Sequence, residues 1–141
     1  DEQYAIPFGE AAFPRQGKDV TIVAISNMVT HAIAAADILA QEGISCDVID
    51  PRTVSPMDDE AILESVEVTG RLVVVDEGNP RCGLASDIAG IVAEKGFHSL
   101  RAPIRTVTAP HTPVPFAPEL EDAYLPNVDK VLAAVREVLG A

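Results

Sequence analysis

Val20-Thr21-Ile22-Val23-Ala24-Ile25, followed by Ser26-Asn27 and a helical pattern that begins near Met28, reads as a buried strand feeding a crossover helix. Three further runs repeat the arrangement. Cys46-Asp47-Val48-Ile49-Asp50, Leu72-Val73-Val74-Val75 and Ile104-Arg105-Thr106-Val107 are continuously or nearly continuously apolar, as strands covered on both faces are, and each follows a helical pattern. With a weak run at Ala11 to Arg15, five strands alternate with four helices. The fold class is therefore α/β: three layers, α/β/α, around a five-stranded, mostly parallel sheet. A tight turn at Gln16-Gly17-Lys18-Asp19 predicts that the first two strands pair antiparallel, giving one antiparallel edge strand beside the parallel set.

Each helix shows which side it buries. In the first, Ser26 and Asn27 are candidate caps, Gly43 is the stop, and Val29, Ala32, Ile33, Ala36 and Ala40 share a core face. Its other face carries His31, Ala34, Ala35 and Ile38, poor material for water, which predicts a second packing surface. The helix from Asp58 to Thr69 opens with Asp58, Asp59 and Glu60 against its positive dipole end. From Leu84 to Lys95, the residues Leu84, Ile88, Ile91 and Val92 form a core stripe, and Ser86, Ala89, Gly90 and Ala93 form a small-residue face that admits a neighbour. Val128 to Leu139 is amphipathic, with Val128, Val131, Leu132, Val135 and Leu139 inside. Between the last strand and this helix, Ala109 to Asn127 holds five of the eleven prolines together with Val114, Phe116, Tyr124 and Leu125. Loops of this length are uncommon unless they carry function; proline stiffens this one, and its apolar side chains are expected to bury.

At 141 residues, 48% apolar and 23% charged, the chain has the length and composition of one globular domain that needs no metal or disulfide staple. It contains no apolar run near a membrane-spanning length and no leader pattern, so it reads as cytoplasmic. Ten basic against 22 acidic residues, net −12, argue against nucleic acid and anionic membranes and point to a basic partner. Cys46 and Cys82 read as reduced thiols. The chain opens Asp1-Glu2-Gln3-Tyr4 without methionine and enters through Ile6-Pro7-Phe8-Gly9, which reads as a linker, residues 1–10, from a missing N-terminal domain, with residues 11–141 as the domain itself.

No complete active site emerges. Gly78-Asn79-Pro80-Arg81-Cys82-Gly83 has the glycine spacing of a phosphate loop, but Leu84-Ala85 stand where that loop needs a lysine and a hydroxyl residue. The turn still lies at the carboxyl end of a central strand, where open α/β sheets place ligands or partners. For Asp76, Glu77 and Arg81, an inter-domain polar contact and a self-contained strand-end turn are both open readings. The lack of any lysine between Lys95 and Lys130 argues against a receiver-type phosphoacceptor. Cys82 has no identifiable base, and three histidines without close spacing do not make a metal site. His98 reads as surface. His31, on the second face of its helix, and His111, in the proline-rich loop, are candidate interface residues.

Taken in order, Ile6-Pro7-Phe8-Gly9-Glu10-Ala11, Gly17-Lys18-Asp19-Val20-Thr21-Ile22-Val23 and Asp50-Pro51-Arg52-Thr53-Val54-Ser55-Pro56 form a familiar series. It continues with Val75-Asp76-Glu77, Gly83-Leu84-Ala85-Ser86-Asp87-Ile88 and Ala109-Pro110-His111-Thr112-Pro113-Val114-Pro115-Phe116 with Leu120-Glu121-Asp122. Essentially the whole chain resembles the C-terminal domain of the beta subunit of thiamine-diphosphate-dependent 2-oxoacid dehydrogenases. The His111 segment is most similar to acetoin dehydrogenase beta subunits; pyruvate-type members often carry an acidic residue there.

The resemblance implies a transketolase C-terminal-domain fold in a heterotetramer containing an alpha subunit and a second beta subunit. It implies that the full enzyme decarboxylates a 2-oxoacid or cleaves acetoin on thiamine diphosphate with magnesium, then acylates the lipoyl arm of an acyltransferase. It also implies that this domain holds no cofactor and no catalytic residue. Its role would be to buttress subunit interfaces and help dock the acyltransferase's basic peripheral binding domain. The expected interface residues are His31, Ile38, Glu77, Arg81, His111, Phe116 and Tyr124. The competing expectations are the C-terminal domain of a transketolase or deoxyxylulose-phosphate synthase, and a free-standing small-ligand module built on the Glu77 to Gly83 turn.

Overall fold

The computed structural model describes residues 4–140, so the first three residues of the expected linker and Ala141 lie outside it. Five strands, β1 (Ala12–Arg15), β2 (Val20–Ala24), β3 (Cys46–Asp50), β4 (Leu72–Val75) and β5 (Arg105–Val107), form one sheet in the order β1-β3-β2-β4-β5. The helices are α1 (Met28–Gln41), α2 (Asp59–Thr69), α3 (Leu84–Lys95), α4 (Pro118–Tyr124) and α5 (Val128–Gly140), with a 3-10 turn at Phe97–Ser99 that leaves His98 exposed. The pairings β2 with β3, β2 with β4 and β4 with β5 are all parallel.

Strand pleating divides the apolar residues between two cores. Ile22, Val48 and Val73 stand in register across three strands and face α1 and α5, where they meet Ala32, Leu39, Val131 and Val135. One residue along, Val23, Ile49 and Val74 form the opposite row and meet Ile62, Val66, Ala85, Ile88 and Val92 of α2 and α3. The sheet is thus covered on both faces, which is why its central strands are apolar throughout.

Two expectations need correcting. The antiparallel partner of β1 is β3, not β2. Both edges of β2 are taken by parallel neighbours, so β1 has no place beside it. Gln16 to Asp19 instead crosses the start of β3, with the amides of Lys18 and Asp19 both donating to the Ser45 carbonyl and the Asp19 carboxylate accepting from the Ser45 amide. At Gly17 any Cβ would run into the Cys46 backbone carbonyl, so only glycine permits this crossing. Pro14, in the outermost strand, sits where its missing N–H is tolerated.

The core stripe of α1 is also rotated from the expected one. Met28, Ala32, Ala35, Ala36 and Leu39 are buried, Val29 and Ile33 only partly, and Ala40 is exposed. Ala35, expected on the outer face, is fully buried, and neither Ser26 nor Asn27 gives the helix a side-chain cap. In α3 the small-residue face, Ser86, Gly90 and Ala93, lies open to solvent.

Below the apolar row that faces α2 runs a chain of buried hydroxyls. Thr21 of β2 bonds both Thr69 and Ser65 of α2 at 2.7 Å, and Ser65 donates to the Asp47 carboxylate of β3. With Ser65 committed to Asp47, Thr21 donates to Ser65 and is free to accept from Thr69. The relay satisfies every hydroxyl and ties α2 to two strands at once. Ser65→Ala leaves the Asp47 carboxylate buried without this donor, and is expected to lower unfolding free energy by about 1–3 kcal/mol. Glu64→Ala, at an exposed position on the same helix, is expected to change it by less than about 0.5 kcal/mol. Urea titration of the two variants checks the difference.

Candidate functional site

All the parallel strands point their carboxyl ends to one edge of the sheet, and the loops leaving that edge carry the unusual features of the chain. After β2 comes Ser26, after β3 Arg52, and after β4 Cys82; these are the non-glycine residues with positive φ among the described residues, at 56°, 58° and 55°. Left-handed backbone at a non-glycine residue is held only where its surroundings impose it, and such positions gather at functional edges.

The loop after β4 is built by its own side chains. Asp76 is buried; its amide donates to the Val107 carbonyl and its carboxylate accepts from the Gly78 amide at 2.9 Å. Gly78 in turn accepts from the Ala109 amide, so the loops after β4 and β5 are stitched together. Ser86 donates to the Pro80 carbonyl, and a Cβ on Gly83 would lie 2.5 Å from the Asn79 carbonyl oxygen. Glu77 and Arg81 project from this frame, both exposed and, among the described residues, without an ion-pair partner. Across the stitch, His111 is exposed and shares a shallow hollow with Asn79, Thr112 and Pro113.

Phe116 is fully exposed and Val114 two-thirds exposed, contrary to the expectation that this loop buries its apolar residues. The entering segment adds Ile6 and Phe8, the latter 84% exposed, and is fastened by the Gly9 amide donating to Thr53 Oγ1. Between that segment and the loops after β2 and β3 lies an open cleft of about 700 Å³, lined by Ile6, Phe8, Ile25, Asp50, Arg52 and Val54 among others.

Of the expected interface residues, the structure brings Glu77, Arg81, His111 and Phe116 to this edge. His31, half-buried, is one turn into α1 and close to it. Ile38 is 39% exposed but lies ten residues into α1, about 15 Å down the helix by its rise per residue. Tyr124 is turned inward, 7% exposed, and its hydroxyl donates to the Thr112 carbonyl. The cleft beside Asp50 to Val54 escaped the sequence reading; the bracketing prolines Pro51 and Pro56 were the available signal.

Chemically the edge offers polar and apolar contact. Among the described residues no group of three or more His, Cys, Asp or Glu comes together in a way that holds a metal ion. No described helix is long and apolar enough to cross a membrane. Residues 9–131 match the protein family described as transketolase, C-terminal domain.

The chain belongs to the transketolase C-terminal domain family. As a member of that family it is 51% identical over 140 residues to the acetoin:2,6-dichlorophenolindophenol oxidoreductase subunit beta of Bacillus subtilis strain 168, covering 99% of this chain and 41% of that protein. It is 54% identical over 136 residues to the subunit of the same name from Cupriavidus necator, covering 96% and 40%. It is 42% identical to the mitochondrial pyruvate dehydrogenase E1 component subunit beta-2 of Oryza sativa, covering 96% and 36%. The transketolase C-terminal domain seen here therefore spans about two-fifths of the length of these relatives. Among solved structures, a split-gene transketolase described as an inactive beta4 tetramer superposes with a TM-score of 0.81 at 31% identity, over 97% of this chain and 44% of that one.

The two cysteines of the domain differ sharply. Cys82 is exposed, whereas burial pushes the Cys46 thiol up to about 11, with Asp19 adding to the rise and Arg15 opposing it. A folded state that holds the thiol proton more tightly than the unfolded chain gains stability below the ordinary value of 9.0 and loses it as pH rises towards about 11. Iodoacetamide at pH 8 is expected to modify Cys82 and spare Cys46. Between pH 9 and 11 the urea midpoint should fall further for the native chain than for Cys46→Ala; equal declines would contradict the assignment.

Proposed function

We propose that this domain is the carboxyl-terminal part of the beta subunit of an acetoin-type oxidoreductase, with the related pyruvate dehydrogenases as the neighbouring activity. In this reading it serves assembly rather than chemistry. The observation that carries the proposal is identity above 50% to two acetoin oxidoreductase beta subunits across nearly the whole chain. The pyruvate dehydrogenase beta subunits, at 40–45%, stand further off, which favours acetoin as substrate of the full enzyme.

The geometry of the carboxyl edge supports the assembly role. Phe8, Val114 and Phe116 are large apolar groups presented to water, Phe8 next to the Gly9–Thr53 hydrogen bond and the other two beyond the Ala109–Gly78 one, and an association surface with a polar rim would cover them. Glu77, Arg81 and His111 supply that rim. The partners of the edge would be the remainder of the beta chain and the alpha subunit, in a heterotetramer with a second beta chain. The acidic surplus, 22 against 10, suits the basic peripheral binding domain of a dihydrolipoyl acyltransferase, since complementary charge speeds and orients docking. The enzyme would work in the cytoplasm.

The residues of this domain do not fit thiamine diphosphate with magnesium. Asp76, the buried acid of the carboxyl edge, has a carboxylate oxygen committed to the Gly78 amide, and the glycine-bracketed turn carries no lysine for a phosphate. The cofactor is assigned to the rest of the assembled enzyme. Phe116→Asp in the full beta chain is expected to weaken association with its alpha subunit at least tenfold, as loss of a buried aromatic anchor does, while leaving the melting temperature of the free beta chain unchanged. Unaltered association, measured by analytical ultracentrifugation, would remove this edge from the interface.

A further inference from the structure

From residue 110 to residue 123 every side chain is exposed except that of Pro115, which is half-buried. A stretch this long with no core of its own needs outside attachments to keep one shape. The structure gives the segment around His111 two of them. On one side the Ala109 amide donates to the Gly78 carbonyl at 3.2 Å. On the other the Thr112 carbonyl accepts from the Tyr124 hydroxyl, also at 3.2 Å. His111 lies between these two attachment points, with the Thr112 amide closing a tight turn onto the Pro110 carbonyl at 2.8 Å.

Tyr124 can act as an anchor because it is itself held. It ends α4, and Lys130 of α5 donates its ammonium to the carbonyls of Ala123, in the last turn, at 3.2 Å and Leu125, just beyond it, at 2.8 Å. The Lys130 amide is in turn fixed by the Asn127 side chain. A line of contacts therefore runs from α5, packed on the sheet, through Lys130 to the end of α4 and from Tyr124 to the backbone beside His111. We infer that Tyr124, backed by Lys130, is a positioning residue for assembly: it sets the place of His111 and Phe116 without itself lying in the contact surface. This rests on the carboxyl-edge interface proposed above, and it moves Tyr124 from the surface itself to its support.

The test uses the full beta chain and its alpha subunit. Tyr124→Phe keeps the buried ring and removes the hydroxyl. It is expected to speed chymotrypsin cleavage after Phe116 about fivefold, the weight of one neutral hydrogen bond, with cleavage after the exposed Phe97 unchanged. Lys130→Met is expected to act in the same direction. Association with the alpha subunit should weaken by a similar factor, and the melting temperature should stay within about 2 °C of the native chain. Unchanged cleavage after Phe116, or an equal rise after Phe97, overturns the positioning role. Faster cleavage after Phe116 with unchanged association overturns the loop as an interface while leaving the anchor intact.

Discussion

β2 is paired along both edges and buried on both faces, and most of the remaining structure follows from that placement. A strand so enclosed must be apolar, and its neighbours must be parallel strands returned by crossover helices, one pair of helices to each face. The single polar intrusion is Thr21, which is admitted because Ser65, Thr69 and Asp47 complete its hydrogen bonds. Enclosure also displaces β1 to the far side of β3 and collects the βα loops at one edge.

That edge is where the domain departs from what a self-sufficient fold would display. Its backbone is well tied, through Asp76 to Gly78, Gly78 to Ala109 and Gly9 to Thr53, yet the side chains it holds up include Phe8, Val114 and Phe116. Order without burial has an energetic cost in conformational freedom that the domain alone does not recover. In the proposed assembly, another surface covering the edge would supply the recovery. The proposed assembly role accounts for loops that are held in place while their apolar groups stand exposed.

Much of this was legible in the residues. Continuous apolar runs gave the parallel strands, and the motif series from Ile6 to Asp122 gave the family. The partner of β1 was not legible, because a turn at Gln16 to Asp19 predicts proximity to β2 while edge availability decides the pairing. The stripe of α1 was misplaced because alanine-rich sequence offers little contrast between faces, so a small rotation buries Ala35 and exposes Ala40. α4 hid within the proline-dense segment, although Pro118 followed by Glu119 and Glu121 is a helix start. Glu77 and Arg81 were placed at a strand end by the run of apolar residues before them, and His111 in an exposed loop by its prolines, which is where the structure has them. The left-handed turns at Ser26, Arg52 and Cys82 were not legible, because none of these residues signals that conformation.

The central claim is that the carboxyl edge is the assembly face. Hydroxyl-radical footprinting of the full beta chain, alone and bound to its alpha subunit, tests it through side chains on opposite sides of the domain: Phe8 and Phe116 at the carboxyl edge, and Phe97 beyond the far end of α3. Protection of Phe8 and Phe116 in the assembled enzyme, with Phe97 as reactive as before, is the predicted result. Protection of Phe97 with Phe8 and Phe116 unchanged would contradict the account.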